Sequence, residues 1–462
     1  MKLLLSKDKK YFLVSDLDVL TANELRDHLT YVVPYIHVLK RKFPHKYAHW
    51  DGKTTFIDKN MRIPRGLWEE VYTFCKARDI KLDIYGASHI IDNNFNFNEF
   101  KEFCLALFED HPEYTPYDYQ IEAAGKILKY KYSQSEIATS AGKTLISYMI
   151  FMWLKHKGFK KQLIIVPRLT LITQFIEDYD DYANGKYKFS YQEIKGGTDK
   201  LKKDVDFVVG TYQSLSKLPK PWYNEVDSLF VDEAHSTTSK SVKSIIQKNF
   251  DVDLVYGMSG TIDQKNRENL LTTQSFLGPI IQHIQPDFLM DQGFITPAKI
   301  KIFRLDYLSP EHKKMLQEIR VEKADKGAEA LSLEKDVVRN NNERFKFVTS
   351  KVLEAEGNSL VLFTDIKNGY GKRLFDYLKN ISDKRVYYID GGTKSQIRDY
   401  YRKVMESGEN KFVYITANDR TYKFFEYDDI KLSDGTVKSA VEIIENDDID
   451  DNFLLTCEDK IQ

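Results

Sequence analysis

Cysteine is almost missing: Cys75, Cys104 and Cys457 are the only three in 462 residues, and they stand far apart. A disulfide framework is thereby excluded, and no paired spacing of the kind that holds zinc is present. That usage fits a reducing compartment and implies a cytoplasmic protein. No apolar run approaches the roughly 20 residues of a membrane span. The opening "MKLLLSKDKKYFLV" also turns charged too soon for a secretory leader. A bilayer is therefore not an expected partner. Excess charge of one sign is lacking as well. The net charge of -1 argues against a surface coated in basic residues, while local basic tracks stay open. Neither a solenoid-length repeat nor a low-complexity tract occurs.

With 42% hydrophobic and 30% charged residues, the chain has the composition of a folded protein rather than a disordered one. Its length exceeds what one core serves and implies about three domains. Residues 1–100 read as a small α+β domain. Thr21 and Glu24 have capping-box spacing, so a helix is predicted to start there. The stretch "KRKFPHKYAHWDGKTTFIDKNMRIPRGLW" predicts a strand pair turning near Asp51-Gly52, followed by a helix through "LWEEVYTFCKAR". Its interleaved Lys40, Arg41, Lys42, His45, Lys46, Tyr47, Trp50 and Lys53 suit a nucleic acid, with charges for phosphate and rings for bases. The alternative is a solvated hairpin whose Trp50 packs on its own domain.

Residues 101–298 read as an α/β domain on a parallel sheet. "QLIIVP", "DFVVGT", "SLFVDE" and "LVYGMSGT" are short, nearly continuous apolar runs, as parallel strands buried on both faces should be. Each ends in small or polar residues, and in such sheets the ligand lies beyond the strands' carboxyl ends. A charged helical connector over 310–350 leads to a second series, "NSLVLFTDI", "RVYYIDGG" and "KFVYIT".

Two stretches carry chemistry. "IATSAGKTLIS" joins a predicted strand to a predicted helix and places Gly142, Lys143 and Thr144 at the join. A phosphate-binding loop needs backbone N–H groups at a helix N-terminus, a lysine for the β- and γ-phosphates, and a hydroxyl for Mg²⁺. The first glycine of the usual G-x-x-x-x-G-K-[ST] pattern is missing, and alone the stretch is equally a helix start. About ninety residues on, "SLFVDEAHS" delivers Asp232 and Glu233 at a strand end. There Asp232 would hold Mg²⁺, and Glu233 would deprotonate an attacking water. Together the two stretches imply ATP.

In order, "YDYQIEA", "TSAGKT", "IIVPRLTLITQ", "VVGTYQSL", "VDEAH" and "MSGT" resemble motifs Q, I, Ia, Ib, II and III of superfamily 2 helicases. With "GGTDK" and "HKYAHWDGKTTFID", the wording over residues 1–417 is most similar to the UvsW-type recombination helicases of tailed phages. Ala138 stands where such loops usually carry proline. The resemblance implies RecA-like lobes beside the N-terminal domain, and an ATP-dependent helicase or translocase acting on branched DNA. A phage-encoded relative would work in the host cytoplasm. It further implies that Gln120 reads the adenine edge and that Thr139, Ser140, Ala141, Gly142, Lys143 and Thr144 hold ATP. His235 would complete a DEAH box, and Ser259, Gly260 and Thr261 would couple hydrolysis to strand movement. Pro167, Arg168, Thr211 and Gln213 would contact the nucleic-acid backbone, joined by Lys42, Lys46 and Trp50 of the N-terminal domain.

Residues 299–417 match a second RecA-like lobe only in part. Motif V and the Q-x-x-G-R-x-x-R of motif VI are not found, and after Arg402 the only arginine is Arg420. Such arginines offset charge on the transferring phosphoryl group and are worth about 10³ to 10⁵ in rate. The expected alternative to a helicase is thus a nucleotide-gated DNA-binding fragment with little turnover, or one that a second polypeptide completes. The acidic tail 418–462 predicts a hairpin around Asp434-Gly435. It reads either as a divergent end or as the start of an interrupting, intein-like segment.

Overall fold

The structure, a computed structural model, describes residues 1–417 apart from 35, 197–201, 203, 249–251, 297–300, 304–308, 323–326, 364–368, 391, 394–396, 398–399 and 402–411. Beyond 417 it describes three two-residue strands. The chain divides into two units, Met1–Ile295 and Thr296–Gln462.

The first unit opens with β1 (Lys2–Leu5), β2 (Tyr11–Ser15), α1 (Val19–His28), β3 (Thr30–Val32), α2 (Ile36–Lys42) and α3 (Pro44–Tyr47). It continues through β4 (Lys53–Thr55), β5 (Arg62–Pro64), α4 (Trp68–Lys76) and β6 (Asp83–Tyr85). Strands β5-β2-β1-β6 form one sheet, and β3 pairs with β4 in another. Two expectations are corrected here. The cap of α1 is Asp18, whose carboxylate accepts from the Thr21 N–H; Glu24 instead takes Arg78. The basic run also forms no hairpin, because Lys40, Arg41 and Lys42 lie on α2. Pro44 then opens α3, where its missing N–H is no loss. Gly52, at φ +82°, turns the chain into β4, which pairs back with β3.

Next come α5 (Phe97–Leu107), α6 (Asp118–Lys129), β7 (Tyr132–Ile137), α7 (Lys143–His156), β8 (Gln162–Val166), α8 (Leu169–Ala183), β9 (Tyr191–Ile194), β10 (Phe207–Thr211) and α9 (Tyr212–Leu215). β11 (Ser228–Asp232), α10 (Lys240–Lys248), β12 (Leu254–Ser259), α11 (Arg267–Leu277), β13 (Ile280–Ile284) and α12 (Pro286–Asp291) follow. Seven parallel strands run in the order β13-β7-β12-β11-β8-β10-β9, and every predicted apolar run is one of them. One face is covered by a core drawn from α5 to α8, including Phe100, Ile146 and Phe175. Since Phe100 packs edge-on against Trp153 at 5.3 Å, α5 contributes to this core.

On the other face, one continuous core joins sheet residues Leu163, Ile165 and Val255 to Phe12, Leu67 and Trp68 of the N-terminal domain. Gly66 sits against α11 so closely that a Cβ would come within 1.9 Å of the Gln274 carbonyl. The Arg65 guanidinium lies 4.1 Å over the ring of Tyr132. Arg267 of α11 grips Glu70 of α4 with two bonds of 3.0 and 2.6 Å, and His28 stands 3.3 Å away. The N-terminal domain is therefore fixed to the parallel sheet rather than tethered to it.

The second unit carries β14 (Lys301–Ile302), α13 (Pro310–Glu322), α14 (Gly327–Arg339), α15 (Asn342–Glu354), β15 (Ser359–Phe363), α16 (Tyr370–Ile381), β16 (Arg385–Ile389) and β17 (Phe412–Ala417). Strands β15-β17-β16 form a parallel sheet over Phe345, Leu374, Leu378, Val413 and Ile415. Short strands β18 (Ile430–Lys431) and β19 (Val437–Lys438) pair antiparallel, as a hairpin there requires, and β20 (Phe453–Leu454) pairs with β14. The Asp434-Gly435 turn and the rest of the tail lie outside the described residues.

Burial alone would raise the Glu70 carboxyl; bonds from His28 and Arg267 overcome it and hold the group at about 2. Glu70→Ala is expected to destabilise the chain by about 2–4 kcal/mol near neutral pH, since it strands Arg267. Because the folded value lies below the ordinary 4.5, this stabilisation is complete above about pH 5. It fades as pH falls toward 2. Denaturant titrations of both proteins across that range should show the gap closing.

Candidate nucleotide and nucleic-acid site

The parallel sheet presents its carboxyl ends on one edge, and the chemistry collects there. After Ile137 the chain passes through Ser140, at φ +66°, and Gly142, at φ +78°, before α7 begins at Lys143. No side chain caps α7. Its first N–H groups therefore point out of the helix toward whatever accepts them, which favours an anion. The Lys143 ammonium reaches back to the Ile137 and Ala138 carbonyls, at 3.3 and 3.5 Å. Thr144 follows it on the same first turn.

Gln120 is only 4% exposed. Its amide nitrogen donates to the Ala141 carbonyl at 3.0 Å, while its oxygen accepts from the Tyr117 N–H at 2.9 Å. A Cβ on Gly142 would lie 2.3 Å from that nitrogen, so only glycine lets Gln120 approach. Tyr119 also donates to the Ala141 carbonyl, at 3.1 Å. Sequence reasoning missed Tyr119, although it stands next to Gln120 in "YDYQ".

Strand β11 delivers Asp232 and Glu233 into different surroundings. Asp232 is 8% exposed, and burial, then the neighbouring Glu233 charge, push its carboxyl up to about 6 against the opposing effect of Lys143. Glu233 shifts the other way, lowered chiefly by its hydrogen bond with His235. It turns through the left-handed region at φ +54°, an unusual conformation for a residue with a side chain. The Ser259 hydroxyl stands 3.0 Å from Glu233 Oε2, 2.9 Å from His235 Nδ1 and 2.9 Å from the Thr261 carbonyl. Its one proton serves the Glu233 carboxylate or the Thr261 carbonyl, and His235 Nδ1 meets the hydroxyl as donor or acceptor according to its tautomer. Gly260 passes Thr139 so closely that a Cβ would meet its hydroxyl at 3.3 Å. The structure thus gathers Gln120, Thr139–Thr144, Asp232, Glu233, His235 and Ser259–Thr261 along one edge.

The other candidates divide. Pro167 and Arg168 follow β8, Thr211 ends its neighbour β10 and Gln213 lies just beyond it, so the four share one corner of the same edge. Arg168 and Gln213 are exposed. Thr211 is 5% exposed, and its hydroxyl caps α9 by accepting from the Ser214 N–H, so that side chain serves the helix start. Trp50 lies in the N-terminal domain, where its indole donates to the Lys53 carbonyl and its ring lies 5.7 Å from Tyr47. The side chains of Lys42 and Lys46, and the whole of "GTDK" at 197–200, fall outside the described residues. Missed from sequence was Glu136, a buried carboxylate near the end of β7 with partners beyond the end of β12 and on β13.

At Asp232 the folded value, about 6, exceeds the ordinary 3.8, so the folded state holds the extra proton. Stability is lost as pH rises between those values and stays low above them. Each unit is worth about 1.4 kcal/mol, which bounds the cost at about 3 kcal/mol. Asp232→Asn should accordingly raise the thermal midpoint at pH 7 without nucleotide, with the gain vanishing near pH 4; differential scanning fluorimetry across pH reads it.

Comparison with known proteins agrees with this arrangement. The family described as "Type III restriction enzyme, res subunit" matches residues 113–264, and "DNA helicase UvsW, N-terminal" matches residues 10–85. The ATP-dependent DNA helicase uvsW of Enterobacteria phage T4 is 28% identical over 411 residues, covering 85% of this chain and 76% of that protein. The DNA 3'-5' translocase XPB2 of Sulfurisphaera tokodaii is 30% identical over 197 residues, 43% of this chain and 42% of its own. A crystal structure of the bacteriophage T4 UvsW helicase superposes with a TM-score of 0.51 at 26% identity, covering 61% of this chain and 99% of that one. The N-terminal domain and the domain that carries the phosphate loop are thus both matched in chain order, and over most of its length the chain is similar to UvsW-type DNA helicases.

Proposed function

We infer that the chain binds Mg-ATP at the carboxyl edge of the seven-stranded sheet and uses its hydrolysis to move on or remodel branched DNA in recombination and repair. The observation that carries this is the opposed pair at the end of β11. Buried Asp232 pays for its charge until a cation meets it, while Glu233 is ionised and hydrogen-bonded. Asp232 and the Thr144 hydroxyl are the groups that fit a magnesium ion, which when bound would offset charge on the β- and γ-phosphates. The uncapped start of α7 and Lys143 cradle those phosphates, and the base lies toward Gln120. Glu233 takes a proton from water as the water oxygen bonds to the γ-phosphorus; the bond to the β-bridging oxygen breaks, leaving ADP and phosphate. His235 and Ser259 hold that carboxylate in place, completing a DEAH box. Arg168 and Gln213, both exposed, would contact sugar-phosphate, which positions a motor without reading sequence.

Lys143→Ala is expected to weaken ATP binding at least about tenfold, since it removes charge-assisted bonds. Glu233→Gln should leave binding nearly intact and abolish DNA-stimulated phosphate release. Unchanged ATP affinity in the Lys143 variant, by titration with a fluorescent analogue, would remove the site from this edge. The arginine that meets the transferring phosphoryl group is proposed to lie outside these 462 residues, on a continuation or a second polypeptide. Residues 1–462 alone should then turn over at least about a hundredfold more slowly than when joined to motifs V and VI.

A further inference from the structure

Strand β7 carries the phosphate loop, and its penultimate residue is Glu136. It is 9% exposed, within a strand buried at every position. Burying a carboxylate is costly unless it is well bonded, and this one is. Oε1 accepts from the main-chain N–H of Ile262 at 3.2 Å. Oε2 faces the Gln264 amide at 3.0 Å, His283 Nδ1 at 2.9 Å and the Gln285 amide at 3.4 Å. In register, Glu136 lies directly between Ser259 of β12 and His283 of β13.

This placement gives the segment leaving Ser259 two points of attachment to β7 and its loop. At Gly260 it passes Thr139 closely, so that a Cβ there would meet the Thr139 hydroxyl at 3.3 Å. Two residues on, at Ile262, its backbone is tied to Glu136. Ser259 in turn bonds Glu233. An apolar residue at position 136 would satisfy the strand but would release the 262–264 end.

We propose that Glu136 is a positioning residue that transmits the state of the nucleotide site to the 259–264 segment, so that nucleotide and DNA binding influence one another through it. The proposal rests on the reading of this edge as an ATP-dependent DNA motor. Linkage makes the influence measurable without turnover, as the ratio of nucleotide affinities with and without DNA.

The experiment titrates a non-hydrolysable fluorescent ATP analogue into the full chain, with and without a forked duplex, and measures fork affinity separately. For the parent chain a ratio of about tenfold is expected, within the usual range of such couplings. Glu136→Ala should keep each separate affinity within about threefold of the parent while bringing the ratio to within about twofold of one. Glu136→Gln keeps an oxygen for the Ile262 N–H and should restore most of the ratio. Gln264→Ala, at an exposed position, should lower it partway, and it serves as the test if Glu136→Ala fails to fold. A merely structural role would lower the thermal midpoint and leave the ratio unchanged, and that result overturns the proposal. So does a parent chain that binds both ligands with a ratio of one. A parent chain that binds no nucleotide would instead overturn the reading of the site itself.

Discussion

The constraint on which this fold's chemistry depends is the exit from β7. A fully buried strand must leave the sheet, turn within residues 138–142 and start α7 without a capping side chain. Left-handed Ser140 and Gly142 accomplish the turn, and the absent cap leaves N–H donors directed outward. Everything else on this edge is arranged around that opening. Gln120 and Tyr119 brace the loop through one carbonyl, that of Ala141. Gly260 closes against it from β12.

Two adjacent carboxylates then show how position rather than residue type sets chemistry. Asp232 is shut away from water and has its charge made costly, whereas Glu233, one residue later, is turned by its backbone toward His235 and Ser259. On the proposed reading a cation meets the first carboxylate and a proton the second, and their separation in this manner suits both roles. On that reading the destabilisation of the first is a cost of function that the surrounding core offsets.

Much of this was legible beforehand. The apolar runs that became β8, β10, β11 and β12 are hydrophobic at nearly every position because both faces of a parallel sheet are covered. The loop and the Asp232-Glu233 pair could be placed from their order along the chain. Less legible was β7 itself: "YSQSEI" lacks an apolar run, yet each residue is buried. Only some of its polar groups are met from elsewhere: Gln134 donates to the Gly278 carbonyl and Glu136 accepts from Ile262, while the Ser133 and Ser135 hydroxyls have no partner among the described residues. In the N-terminal domain the error had a local cause. Basic and aromatic residues around Pro44 fit a hairpin by pattern, but the strand partner of Lys53–Thr55 was the earlier Thr30–Val32.

By itself, then, the sequence determined the parallel sheet, the loop that starts α7 and the carboxylates at the end of β11, because each is written in a few neighbouring residues. Tertiary structure alone decided which hydroxyls serve caps, as Thr211 does, and how far the N-terminal domain is fixed to the sheet through Glu70 and Arg267. It alone gave Asp232 and Glu233 opposite proton affinities and made Glu136 the meeting point of β13 and the segment beyond β12. The partners of Glu136 lie 126 and 147 residues away along the chain. Burial and hydrogen bonding at such separations are properties of packing, and no local pattern encodes them.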